Sequence, residues 1–190
     1  MKRFTLPLSR TVLVLLLLFL FSAIACHSVP HEYVSSYADL QKAFAEKNGV
    51  VFPDLSAFNF DQSSVSYRLT HANANHATPV HEYTVYGDGN LNETKIYFTL
   101  SCLEGIFECA NREGLFTYNN AKMLHVSSDQ GTARYEGYHV YINGYEYAIS
   151  AMFDEGKLLS DEALAELRSE VNSVLYSFAC GIVDEAQQNV

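Results

Sequence analysis

Basic side chains are scarce in this chain: 12 Lys and Arg stand against 22 Asp and Glu in 190 residues, a formal charge of −10. A surface of that sign repels phosphate instead of releasing counterions from it, so nucleic acid is not an expected partner. Proline is also rare, with 4 residues, and charged residues make up only 18% while hydrophobic ones reach 48%. That balance excludes collagen-like, coiled-coil and wholly disordered chains, and it supplies one sizeable core but not two ordinary domains. The compact signatures of common chemistries are missing too. There is no G-x-S-x-G, no S-x-x-K, no P-loop and no G-x-G-x-x-G.

The N-terminus is rich in what the rest lacks. Lys2, Arg3 and Arg10 precede an unbroken apolar run from Val12 to Phe21, and no acidic residue occurs before Glu32. This is a basic segment followed by an apolar one, the pattern of a signal peptide over residues 1–25. The run is short for a spanning helix, and His27, Pro30 and His31 close it off. Ala23 and Ala25 are small residues at the positions a signal peptidase reads. Ala25-Cys26 also resembles the bacterial lipobox, in which a Cys receives a diacylglycerol before cleavage, although that pattern usually has Leu where this chain has Ala23. Removing residues 1–25 takes away three basic residues and no acidic one, leaving 9 against 22 and a formal charge of −13. Such a domain does not cling electrostatically to anionic lipid. The expected membrane attachment is therefore acyl chains on Cys26, with ordinary secretion as the alternative.

An exported chain meets a non-reducing space, so Cys102, Cys109 and Cys180 read as structural residues. Cys102 and Cys109 enclose six residues including Gly105. A bridge between them would stabilise by roughly 2–3 kcal/mol in the chain-entropy model. The competing reading makes all three small buried apolar residues.

Residues 26–35 read as a polar tether and 36–190 as a single α+β domain. Ser36-Tyr-Ala-Asp39 is a capping-box-like start to a short helix, which Asn48-Gly49 stops, and Pro53 forbids its continuation. Six strand-like runs follow at 65–70, 82–87, 94–102, 121–128, 133–142 and 145–153, rich in Tyr, Val, Ile, Phe and Thr. Asn143-Gly144 is the strongest hairpin signal, and Asp88-Gly89 is a second. The expectation is an antiparallel meander of about six strands, one face packed and one wet, between an N-terminal and a C-terminal helix. Ser160 opens that last helix, and Leu164, Leu167, Val171, Leu175 and Phe178 form its apolar stripe. Gly181 is expected to end it before a polar tail.

This order of leader, short helix running into VVFP, meander ending in NGYEYAIS and closing LSDEALAEL helix resembles the uncharacterised small extracytoplasmic lipoprotein domains of Gram-positive bacteria. Some of those hang below anti-sigma-type membrane proteins. The likeness spans most of residues 36–180 and implies a fold and a compartment, without a chemistry.

Several clusters of polar and aromatic residues have plainer explanations than a site. His71, His76 and His81 with Glu82 crowd in THANANHATPVHEY, but spacings of five put no two of these histidines on one helical face, and a solvated loop accounts for them. Asp88, Asn90 and Asn92 alternate like a calcium loop. The EF-hand pattern then fails at Glu93 and Thr99, where Gly and Glu are required. No metal or cofactor is expected. Asn92-Glu93-Thr94 is a glycosylation sequon in a host that uses one. Asp154-Glu155 and Asp161-Glu162 suit a turn and a helix start. Tyr135, Tyr138, Tyr141, Tyr145 and Tyr147 form an aromatic-rich hairpin, and parity puts Tyr135 and Tyr141 on one face and Tyr138 on the other. One set belongs to the core, and the other is the candidate surface for an envelope protein, peptide or glycan. The functional expectation is a membrane-anchored, non-enzymatic binding module. The alternative is a small extracytoplasmic hydrolase assembled from scattered residues such as His125, His139 and Glu146.

Overall fold

The computed structural model describes residues 31–61, 63–71, 80–91, 94–105, 114–130, 133–154 and 160–188. The chain has an α+β fold: the described residues form one antiparallel sheet of eight strands with two helices on the same side. In chain order the elements are β1 (His31–Val34), α1 (Tyr37–Ala43), β2 (Ser66–His71), β3 (Val80–Leu91), β4 (Thr94–Glu104), β5 (Leu115–Tyr118), β6 (Ala121–Gln130), β7 (Ala133–Ile142), β8 (Tyr145–Asp154) and α2 (Asp161–Gln188), with a 3-10 turn at Ser56–Phe58 before β2.

All six expected strand regions lie in the sheet, and two more strands join them. Residues 31–34, read as tether, form the edge strand β1 against β2, and residues 115–118 form the opposite edge, β5, against β6. Nor is the sheet one simple meander. Its order, β1-β2-β3-β4-β8-β7-β6-β5, joins two four-stranded meanders through their last strands. Pairing at the junction runs from Ile96 opposite Phe153 to Glu104 opposite Tyr145. The physical reason lies in the side chains. Ile96, Phe98, Leu100 and Cys102 face the helices beside Tyr147, Ile149, Ala151 and Phe153, all at 0–1% exposure, so the two most apolar inner rows meet in mid-sheet.

Turn chemistry follows backbone sign. Asn143-Gly144 joins β7 to β8 with both residues at positive φ (52° and 82°), as a type I′ hairpin requires. Asn119-Asn120 does the same between β5 and β6 (42° and 65°), a hairpin that sequence reading missed. Asp88-Gly89 is not a turn, because β3 runs through it. A Cβ on Gly89 would lie 2.6 Å from the Phe58 carbonyl oxygen, and Phe60 bridges to Gly89. This glycine serves a close approach of backbones.

Ser36 caps α1 as expected: its hydroxyl accepts the Asp39 backbone N–H at 3.1 Å and donates to the Asp39 carboxylate at 2.7 Å. The Ser35 hydroxyl also donates to that carboxylate, and these hydrogen bonds hold Asp39 below its ordinary pKa. The helix ends at Ala43 because Phe44, 2% exposed, turns into the core against Phe52 and Tyr83. The following segment crosses the sheet, and two core phenols grip Val51. Tyr147 Oη accepts its N–H at 2.7 Å, and Tyr83 Oη donates to its carbonyl at 2.8 Å. In α2, Gly181 stops nothing. Ile182, Val183 and Ala186 are buried and carry the apolar stripe on to Gln188, so residues 184–188 are helical where a polar tail was expected.

Candidate functional site

The segment that crosses the sheet leaves a groove beside α1, β2 and the last turns of α2. Its main lobe encloses about 570 Å³ and is walled by Tyr37, Phe52, Phe60 and Tyr67, with Asp54 and Glu185 among its lining residues. A second lobe of about 460 Å³ runs along α2 past Val174, Phe178 and Gly181 and shares Pro53, Asp54 and Glu185 with the first. The groove therefore has an aromatic end, a helix-lined end and carboxylates where they meet.

Each wall is held by something else. The Tyr37 hydroxyl donates to the Pro53 carbonyl at 2.9 Å, tying α1 to the crossing segment. The Tyr37 ring stands at 75° to Phe52, centroids 6.0 Å apart, and lies 5.9 Å from Tyr67. Phe52 stacks on the buried Tyr83 ring at 5.0 Å, so one of its faces is fixed. Phe60 stacks at 5.7 Å on Phe58, which the Gly89 approach admits to the core.

The two carboxylates differ. Asp54 is exposed and held below its ordinary pKa by the Ser56 backbone N–H and then by the Ser56 hydroxyl. Glu185 is half-buried and makes no hydrogen bond or ion pair with another described residue; burial alone pushes its pKa up. The Tyr37 phenol is pushed up as well, by burial first and then by the Glu185 charge. Among the described residues no basic side chain lines either lobe.

The residues singled out in the sequence fall elsewhere. Tyr138, Tyr145 and Tyr147 point to the helix side at 0–5% exposure, which removes them as ligand contacts; Tyr138 instead donates to Asn172 of α2 at 2.7 Å. Tyr135 and Tyr141 lie on the opposite face, with His139 and Glu146, and are half-buried. Parity thus separated the rings correctly. Cys102 lies in the core as a free thiol pushed up by burial, its side chain in the central row of β4, while Cys109, the other half of the expected bridge, lies outside the described residues. Cys180 is a buried free thiol. Cys26, His76 and Asn92 also lie outside the described residues.

Among the described residues no group of three or more His, Cys, Asp or Glu is arranged to hold a metal ion. His71 is buried against Glu32 of β1 at 3.2 Å, and Asp88 pairs with Lys95 at 3.1 Å. His139 contacts Glu146 on the open face, while His125 pairs with Glu136 at 2.9 Å on the helix side, so the sheet separates the two histidines of the hydrolase alternative.

The residues of the groove escaped sequence reading for two reasons. Glu185 fell in a segment read as tail once Gly181 was taken for a stop. Phe58 and Phe60 sit in an irregular stretch without periodicity. The available signal was aromatic density, six Phe and Tyr rings between Tyr37 and Tyr67. No protein-family model matches the chain, and no curated protein or solved structure matches it either.

Proposed function

We propose that this chain is a binding module held outside the cytoplasmic membrane by acyl chains on Cys26, and that the aromatic groove is its binding site. One observation carries the reading. Glu185 is a half-buried carboxylate without a described partner, set in a preformed cavity of small-molecule size. Desolvating a charge without compensation destabilises a fold, and a compensating ligand is the economical reason to keep one there. The Ala25-Cys26 junction supports the anchor. Among the described residues no helix is long and apolar enough to cross a membrane.

Two experiments test the two halves. Mass spectrometry of the mature protein is expected to find a diacylglycerol on an N-terminal Cys26, and an unmodified N-terminus in the medium would refute the anchor. For the groove, a ligand-observed NMR screen of small molecules against the purified full chain is expected to give hits that compete with one another and vanish in Phe52→Ser. The His139–Glu146 contact favours the hydrolase as second reading. Hydrolysis of an envelope substrate that His139→Ala abolishes and Phe52→Ser leaves intact would replace the binding reading with it.

A further inference from the structure

We infer that the aromatic lobe takes the methylated ammonium head of a small organic cation, with the rings as walls and Glu185 as counter-charge. This rests on the groove being the binding site and names what it binds.

Three classes of occupant are separated by the lining. An anion would meet Glu185 and Asp54 with no basic group among the described lining residues to offset them. A neutral apolar molecule would fill the lobe but strip more water from a carboxylate that burial already penalises. A cation relieves that penalty and gains from the rings, because aromatic faces carry negative charge density and attract cations placed over them. Tyr37 and Phe52, at 75° with centroids 6.0 Å apart, form a corner of two such surfaces, and Tyr67 extends it.

Hydrogen-bonding capacity then selects the kind of cation. A primary ammonium brings three N–H donors that each need an acceptor, whereas a fully methylated one brings none. Two of the acceptors at the junction already carry hydrogen bonds: the Pro53 carbonyl takes the Tyr37 hydroxyl, and Asp54 takes the Ser56 N–H and hydroxyl. Gln41, Ser56 and Asn59 add polar groups to the lining, but the ring corner offers aromatic surface near the carboxylates, which suits a soft, weakly hydrated charge. A lobe of about 570 Å³ falls within the range of small-molecule sites and leaves room beyond the head.

The test is calorimetric titration of the full chain in a neutral maltoside detergent with choline, with its uncharged isostere 3,3-dimethylbutanol, and with butylammonium. Choline is expected to bind at least about tenfold tighter than the isostere, a difference of the size a desolvated cation–aromatic contact supplies. Glu185→Gln, which removes only the charge, is expected to weaken choline by about tenfold and leave the isostere unchanged. Phe52→Leu is expected to weaken choline several-fold, with unfolding midpoints confirming that both variants fold. Equal affinity for choline and the isostere overturns the cation and leaves an apolar groove. Butylammonium binding as tightly as choline overturns the methylated head. Binding of none of the three overturns the inference, and the groove reading then stands or falls on the screen described above.

Discussion

Two aromatic clusters flank the same short segment, Val51–Asp54, and they are built to opposite specifications. On one side Tyr83 and Tyr147, both fully buried, direct their hydroxyls at the two polar groups of Val51, one accepting and one donating. On the other side Tyr37, Phe52 and Tyr67 border a cavity in which Glu185 has no described partner. Ring content is alike in the two places, and polar satisfaction is what differs. Buried polar groups that are all matched lock a chain in position, while a partly buried charge left unmatched is a cost that a ligand can remove. Aromatic richness alone, which drew attention to the 135–147 hairpin, does not distinguish these cases.

Variants that break or sharpen this contrast differ in expected size. Tyr147→Ala should have the largest effect, about 3–5 kcal/mol lost in chemical denaturation, because it empties a fully buried ring site. Tyr147→Phe isolates the hydroxyl. It should cost about 1–3 kcal/mol by leaving the Val51 N–H buried without an acceptor, and a neutral result would mean that the core phenols do not anchor the segment. Gly89→Ala should cost about 1–3 kcal/mol and also disturb the groove, since its methyl would push the Phe58 backbone away from β3 and carry Phe60 with it. Normal stability with normal groove binding would show that this approach is dispensable.

Ser36→Ala removes the cap of α1 and should cost about 1 kcal/mol, read from the unfolding midpoint. It should weaken groove ligands more than the open face notices, because Tyr37 is the first residue of that helix. The smallest effect has the opposite sign. Burial raises the folded-state pKa of Glu185 above its ordinary 4.5. Its contribution to stability is thus fully present below that ordinary value and is lost as the pH rises through the raised one. Glu185→Gln avoids the loss, so the ligand-free variant should melt slightly higher than the parent at pH 7 and level with it near about pH 4. A variant less stable at neutral pH would mean that the carboxylate is structural, and the contrast between the two clusters would dissolve.

What the sequence alone determined was whatever depends on near neighbours. Alternating side chains placed six strand regions and sorted Tyr135 and Tyr141 from Tyr138, Ser36 and Asp39 located a helix start, and Asn143-Gly144 announced its turn. These are properties of a few consecutive residues, and they hold wherever the segment ends up. The rest needed partners distant in sequence. Gly89 and Gly181 looked like turn and stop, yet one admits the Phe58 backbone and the other lies within a helix whose later residues reach the core. The β4–β8 junction joins segments some fifty residues apart, chosen because two apolar rows bury best side by side. Glu185 became a candidate ligand group only when that longer helix carried it to rings from α1, the crossing segment and β2. A glycine's role is set by what approaches it, and a carboxylate's by what it meets after folding. Tertiary structure alone decides both.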